Sequence, residues 1–515
     1  MRRLLPIALL AALYLPALGS PSSGTHPDES YYLGISAEMD ARGAWLTPTI
    51  DGEAKWFKPP LLYWGQRLAY GAFGRGFFGG RLPAALATVA LALLTGALAR
   101  RMYGDRAALT ATLLTATTFG WLKFGRIAMM DAPMALGLTA AAYGAWRGAE
   151  EDDPRQLLWA GVGAGVAFML KGPVGAVLVL LIAGGFLAFR RPGLLASRWT
   201  AAAFALGAAI GLPWYVASFA VHGRRFYDFF VLEQNVDRFM HPWTLHGEGV
   251  LLVGWLVFLL PWTPLALAAI PPPRRWREPE ALLPLVWIGA VLLVFTIPSL
   301  KWPHYGLACA PAAALLASRE APPRWARVLT AAVLAGFAAV AWAMLRWPLP
   351  RGALLALLAA GAALLGGAWL VARARVVEAA LAAAAAFALA LALVVPAVNP
   401  PVIPPGQLAR LDGRDLYVYD FVSGLFTLAA GRPVRHVERD DLDPVIARGG
   451  VVILTAPALD RLPAPLRERV APVARWERLR PYLPPATVLR AWRARDPTPL
   501  FEGMVAIQAA PSLGR

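Results

Sequence analysis

Apolar runs near residues 4–19, 81–99, 106–121, 128–146, 157–170, 173–189, 199–218, 249–271, 281–297, 304–318, 328–345, 352–372 and 377–396 leave this chain few ways to fold. A helix needs about 20 mostly apolar residues to cross the hydrocarbon core, and at that depth its backbone groups must bond within the protein. The runs therefore predict an α-helical integral membrane protein with about 13 transmembrane helices. Composition agrees: 58% of the 515 residues are hydrophobic and 16% are charged, whereas a soluble domain carries roughly 25% charged residues. Soluble enzymes, collagen, coiled coils, disulfide scaffolds and disordered chains are excluded. The single cysteine, Cys309, lies in an apolar run and has no intramolecular disulfide partner.

The net charge of +17 would suggest nucleic acid in a soluble protein, but here the cations punctuate the apolar runs, so no nucleic-acid partner is expected. With Arg2 and Arg3 cytoplasmic, alternate connections hold Arg100, Arg101, Arg106, Arg147, Arg155, Arg190, Arg191 and Arg198, then Arg274, Arg275, Arg277, Arg319, Arg324, Arg327, Arg373 and Arg375. The short connections on the other side hold few cations. This is the positive-inside pattern of a multi-pass membrane protein. The first run also has the features of a cleavable signal peptide, with two arginines, an apolar core and small residues before Pro21.

Three outer segments follow from that orientation: a loop over about 20–80, a loop over about 220–248 and a tail. The tail alternates apolar and polar residues around Asp415–Tyr419 and Gly450–Leu454, which predicts strands in a small α/β domain. Pro400, Pro401, Pro404 and Pro405 mark its boundary, dividing the chain into a transmembrane domain over 1–398 and an outer-face domain over 399–515.

Ionisable residues near membrane depth are functional candidates by default. All five lysines, Lys55, Lys58, Lys123, Lys171 and Lys301, fall on the outer side, although arginine supplies the other 44 cations. A compact ammonium suits a phosphate oxygen; interfacial snorkelling is the bland alternative. Asp28-Glu29, followed by Tyr32, reads either as a general base facing an outer cavity or as the start of a helix. An amphipathic stretch over 35–42 is expected to lie along the membrane surface. Lys58 precedes Pro59-Pro60 at a helix start, where an anion is favoured, with Tyr63 beside it. Asp131, the turn at Lys171, and His304-Tyr305 beside Lys301 line the same face. In the outer loop over about 220–248, Asn235 accompanies Arg238, which suits a bidentate grip on phosphate. No metal site is assigned: His241, His246 and Glu248 could in principle bind a divalent metal, but their spacing matches no standard site.

Seven motifs occur in order: Asp28-Glu29-Ser30-Tyr31-Tyr32, Lys58 to Trp64, Gly125-Arg126 through Asp131-Ala132-Pro133, Lys171-Gly172-Pro173, Pro213-Trp214-Tyr215, Asn235 to Phe239, and Lys301 to Tyr305. Together, over roughly residues 1–320, they resemble the bacterial polyprenyl-phosphate-dependent glycosyltransferases of the GT-C fold, which include protein O-mannosyltransferases and the lipid A aminoarabinose transferase. The resemblance implies a GT-C bundle and an active site on the periplasmic side. It also implies a polyprenyl-phosphate-linked sugar donor, and lipid A or another envelope glycan or protein as acceptor. By the same resemblance, the first helix is retained, Asp28 is catalytic and Lys58 lies near the donor phosphate. Tyr32, Arg238 and Lys301 are cavity residues, with Arg238 and Lys301 joining Lys58 at the phosphate. Glu29, Tyr63, Asp131, Lys171, Asn235, His304 and Tyr305 complete the expected cavity. Tyr31 stands where the aminoarabinose transferases usually carry arginine, and Phe57 where they tend to carry glutamate. The alternative is a transporter or flippase for a lipid-linked sugar, which would place its binding groups near the midplane between repeated halves.

Overall fold

The computed structural model describes residues 5–21, 26–237, 249–297, 302–480, 483 and 485–510. Each of the thirteen apolar runs contains helix. Among the described residues six helices are long and apolar enough to cross a membrane alone: Phe77–Tyr103, Pro173–Arg190, Pro279–Thr296, Arg324–Arg346, Arg351–Ala372 and Val376–Val398. Arg198–Gly211 with Pro213–Asp237 makes a seventh if that pair, bent by 42°, counts as one. The remaining runs are shorter or broken. Thr117 and Thr118 separate Asp105–Ala116 from Phe119–Phe124, and a turn at 259–262 divides Val250–Phe258 from Thr263–Ala268. The chain is a multi-pass membrane protein whose thirteen apolar runs are not thirteen uniform spans.

Small residues let these helices approach closely, as expected where lipid is as apolar as the side chains. A Cβ on Gly161 would come 2.9 Å from Ala203 Cα, and one on Gly165 would come 2.6 Å from Ile210 Cβ. Buried threonine hydroxyls return their hydrogen bonds to the preceding turn, as Thr88, Thr95, Thr112 and Thr139 do to the carbonyl four residues earlier. These four hydroxyls are thereby satisfied within their own helices.

The tail forms a five-stranded sheet in the order Val434–His436, Leu416–Val418, Val451–Thr455, Phe501–Ala509, Val470–Leu479. Its first two pairings are parallel and its last two antiparallel. Both expected strands are present. The proline-rich segment is tied down as well: Val402 N–H donates to Pro21 O at 2.9 Å, and Trp476 Nε1 donates to Val402 O at 2.9 Å.

This sheet domain rests directly on helix Pro27–Ala41. Gly34 faces Gly424 so closely that a Cβ on Gly34 would come 2.8 Å from Gly424 Cα. Ser30 Oγ donates to Val422 O at 3.1 Å and accepts from Leu425 N–H at 3.3 Å. Leu33 and Ala37 join the core of the sheet domain, while Tyr32, Ile35 and Met39 join that of the helix bundle. The expected surface helix over 35–42 is therefore corrected. Residues 33–37 and Met39 are buried because both faces of the helix are covered, one by each layer. The end of the bundle bearing this domain is termed the domain end.

Candidate active site

Helix Pro27–Ala41 begins with Pro27 in its first turn and His26 as its cap. The His26 Nδ1 accepts the Asp28 N–H at 3.2 Å, which satisfies one of the orphan donors of a helix start. That bond leaves Nε2 protonated in the neutral ring. The Asp28 carboxylate stays accessible, with a side chain 38% exposed, and its Oδ2 lies 4.0 Å from His26 Nδ1. Burial pushes the His26 imidazole below its ordinary pKa against the opposing pull of Asp28, Asp131 and Glu29, with Lys123 adding to the depression.

Glu29, one residue on, has a different fate. It is fully buried, and Arg81 donates to it from Nε at 2.7 Å and from Nη2 at 3.3 Å. The Ala128 N–H donates to the same carboxylate at 3.0 Å. Arg81 also reaches Leu18 O and Ser20 O, so this pair knots the first segment, the Asp28 helix and helix Phe77–Tyr103 together.

Asp131 opens helix Asp131–Glu150, and Lys171 closes helix Leu158–Lys171. Their side chains meet at 2.7 Å, only 5% and 11% exposed. His304 Nε2 lies 4.0 Å from the other Asp131 oxygen. The His304 ring stacks on Phe124 at 4.7 Å and meets the rings of His26 and Tyr305 edge-on, each at 5.0 Å. Lys171 Nζ sits 4.7 Å from the Tyr305 ring centre, a cation–π distance. A continuous cluster thus runs from Asp28 through His26 and His304 to Asp131, Lys171 and Tyr305.

Tyr32 and Tyr63 lie beside it, both buried, with ring centres 6.0 Å apart. Burial, reinforced by Asp28, pushes both phenols well above their ordinary pKa, so they remain protonated donors. Lys58 is half-buried in the bend before helix Leu61–Phe73. Its neighbour Phe57 packs on Tyr31 at 5.2 Å, which holds that bend against the Asp28 helix. Asn235 Nδ2 donates to Phe230 O at 2.6 Å, and a Cβ on Gly172 would lie 3.8 Å from Asn235 Oδ1. Gly172 itself, at φ 64°, takes a conformation that favours glycine. Asn235 is therefore adjacent to the Lys171 turn.

Arg238 and Lys301 lie outside the described residues, as do His241, His246 and Glu248. Among the described residues no group of three or more His, Cys, Asp or Glu side chains is arranged to hold a metal. Sequence reasoning gave no special place to His26 or Arg81. The Pro after His26 was the one local hint, since Pro favours the first helical position and so marks the preceding residue as a cap.

An apolar groove of about 350 Å³ lies among helices Leu158–Lys171, Pro173–Arg190 and Arg198–Gly211. It is floored by Gly161, Ala164, Ala203 and Gly207, and one end reaches Phe168 and Leu212, close to the Lys171 turn.

Residues 57–216 match the family described as dolichyl-phosphate-mannose-protein mannosyltransferase. The chain is 33% identical over 318 residues to an undecaprenyl phosphate-alpha-4-amino-4-deoxy-L-arabinose arabinosyl transferase of Edwardsiella ictaluri, covering 56% of this chain and 54% of that protein. A second arabinosyl transferase, from Pseudomonas fluorescens Pf-5, is 30% identical over 339 residues, covering 61% and 55%. The chain spans little more than half the length of these relatives. In fold, it is similar to ArnT from Cupriavidus metallidurans bound to undecaprenyl phosphate, with a TM-score of 0.77 over 98% of each chain at 20% identity. The chain thus has the GT-C fold and resembles the polyprenyl-phosphate-dependent glycosyltransferases, lipid A aminoarabinose transferases among them.

Proposed function

We propose that this protein transfers a sugar from a polyprenyl-phosphate donor to lipid A, or to another envelope glycan or protein, at the periplasmic face of the inner membrane. The observation that carries this reading is the coincidence of the sequence likeness with the polar cluster. Lys58, Asp131 and Lys171 all fall within the matched region 57–216, and Asp131 and Lys171 pair beside the accessible Asp28.

In this reaction the acceptor oxygen attacks the anomeric carbon, the carbon–oxygen bond to phosphate breaks, and its electron pair leaves on the polyprenyl phosphate. Asp28 takes the proton of a hydroxyl acceptor, or orients an acceptor that is already ionised. Negative charge grows on the departing phosphate, and fixed cations stabilise it. We assign that role to Lys58, Arg238 and Lys301. The protonated Tyr32 and Tyr63, with Asn235, His304 and Tyr305, shape the cavity. Asp131 holds the Lys171 ammonium in place, and Glu29 holds the helix that carries Asp28. The apolar groove beside Lys171 suits an isoprenoid tail, which would bring the lipid phosphate to the polar end. No nucleotide is required.

A lipid-linked-sugar transporter would place its polar groups near the midplane; here they gather at one end. The test is mass spectrometry of lipid A and polyprenyl-phosphate lipids from deletion cells carrying the wild type or Asp28→Asn. The expected result is loss of one sugar from the envelope acceptor and accumulation of the sugar-charged carrier in the variant alone. Identical lipid A and carrier pools in both strains would overturn transfer to lipid A through Asp28.

A further inference from the structure

Helix Pro485–Ala494 of the sheet domain has an apolar face that the domain itself does not cover. At 100° per residue, Trp492 projects between Val488 and Leu489, while Arg490 lies on the opposite side and Arg493 on the flank. Ala491 is buried, whereas Val488 and Leu489 are 36% and 44% exposed. The position of this face is fixed by Trp492, whose Nε1 donates to Ala343 O at 3.0 Å, with the Arg346 guanidinium 4.8 Å from the ring centre.

Ala343 ends helix Arg324–Ala343, part of one of the six membrane-crossing helices, and the neighbouring Val340 and Trp342 are themselves exposed. The Val488–Leu489 face therefore stands at the depth where a membrane span ends. An indole with its polar edge bonded and its ring at this level is the usual occupant of a membrane–water interface. The helix carries two arginines and no acid. The nearest acid in sequence, Asp496, already accepts the Thr498 N–H at 2.9 Å.

We propose that helix Pro485–Ala494 is a membrane-interface helix, seating Val488 and Leu489 in the lipid layer and binding anionic phospholipid headgroups through Arg490 and Arg493. Amphipathic helices of this pattern lie in the interface plane, held by apolar burial and by attraction to anionic lipids. The helix fixes the height of the sheet domain over the bilayer, and hence that of the Asp28 helix on which the domain rests. This inference needs the membrane span beside it and not the transferase reading.

The test uses the full chain in nanodiscs of phosphatidylcholine, with or without phosphatidylglycerol. An environment-sensitive fluorophore is placed at Leu489→Cys; Cys309 is buried, and unsubstituted protein reports its background. The expected result is blue-shifted emission and quenching by nitroxide-labelled lipid, with the same label at Arg461→Cys unquenched. Quenching should strengthen with phosphatidylglycerol, and Arg490→Gln and Arg493→Gln should each weaken that preference about fivefold. An unquenched label in both discs overturns the proposal, and a label shielded only at high protein concentration assigns the face to a second copy instead. Equal quenching in both discs overturns the headgroup assignment. Trp492→Phe, which keeps the ring but removes the bond to Ala343, should lessen quenching without changing elution of the folded protein.

Discussion

The two ends of the helix bundle differ in whether they hold fully buried ion pairs. At the domain end two pairs are buried, Glu29 with Arg81 and Asp131 with Lys171, alongside exposed ones such as Arg225–Glu53 and Arg75–Asp40. At the other end Arg191–Asp152 is 45% and 79% exposed, and Arg100–Asp105 more so. Arginine supplies every cation named there. Exposed pairs of this kind add little stability, and their arginines serve orientation in the bilayer. Burying ions costs far more in desolvation, so a buried pair adds little net stability over an apolar replacement, while removing one partner is strongly destabilising. The difference agrees with the proposal that chemistry takes place at the domain end.

The largest expected effect on this comparison comes from Lys171→Met. Asp131 would then be buried without its ammonium, and unfolding in detergent should lose about 3–5 kcal/mol. Adding Asp131→Asn should recover most of that loss, which a packing defect at position 171 would not permit. Gly424→Ala is next. Its methyl group would come 2.6 Å from Gly34 N, so overpacking should cost about 1–3 kcal/mol and loosen the sheet domain from the Asp28 helix. Faster proteolysis across 399–405 is the measurement.

His26 gives a smaller, pH-dependent effect. Its folded pKa is depressed by burial, so above the ordinary histidine value both states are neutral and it contributes nothing. As the pH falls below about 6.5, the unfolded chain takes up a proton that the folded chain refuses, and stability falls. The slope from this group is at most about 1.4 kcal/mol per pH unit. Unfolding midpoints between pH 7 and 5 should fall less steeply in His26→Asn, which keeps a capping oxygen and cannot titrate. His304, Asp28, Glu29, Asp131 and Lys123 remain in that variant, so the difference isolates His26. The smallest effect is Arg191→Gln at the opposite end, expected to shift stability by less than about 1 kcal/mol. A loss there as large as that of Lys171→Met would break the contrast between the ends.

Much of the architecture was legible because hydrophobic runs and strand alternation are local patterns. The thirteen runs contain helix, and strands Leu416–Val418 and Val451–Thr455 lie where alternation placed them. The gathering of lysines pointed to one end, and Asp131 and Lys171 do meet there. What stayed hidden depends on contacts between distant residues. Glu29 follows Asp28 directly, yet Arg81, 52 residues away, decides that it is buried. The helix over 35–42 read as a surface helix because the layer covering its second face begins near residue 400, in a glycine pair that no periodicity reveals. His26 carried no sequence signal beyond the proline that follows it, and only the fold set it between Asp28 and His304.

Single-turnover transfer by the purified full chain tests the assignment of chemistry to the domain end most directly. Polyprenyl phosphate released from a sugar-charged donor would be followed with lipid A present, for the wild type and for Asp28→Asn. The expected result is a rate lower by about 10²–10⁴-fold in the variant, with donor binding and the unfolding midpoint unchanged, because Asp28 is accessible and buries no ion pair. Full-rate transfer by Asp28→Asn would contradict a catalytic role for Asp28 and leave that residue as part of a helix start.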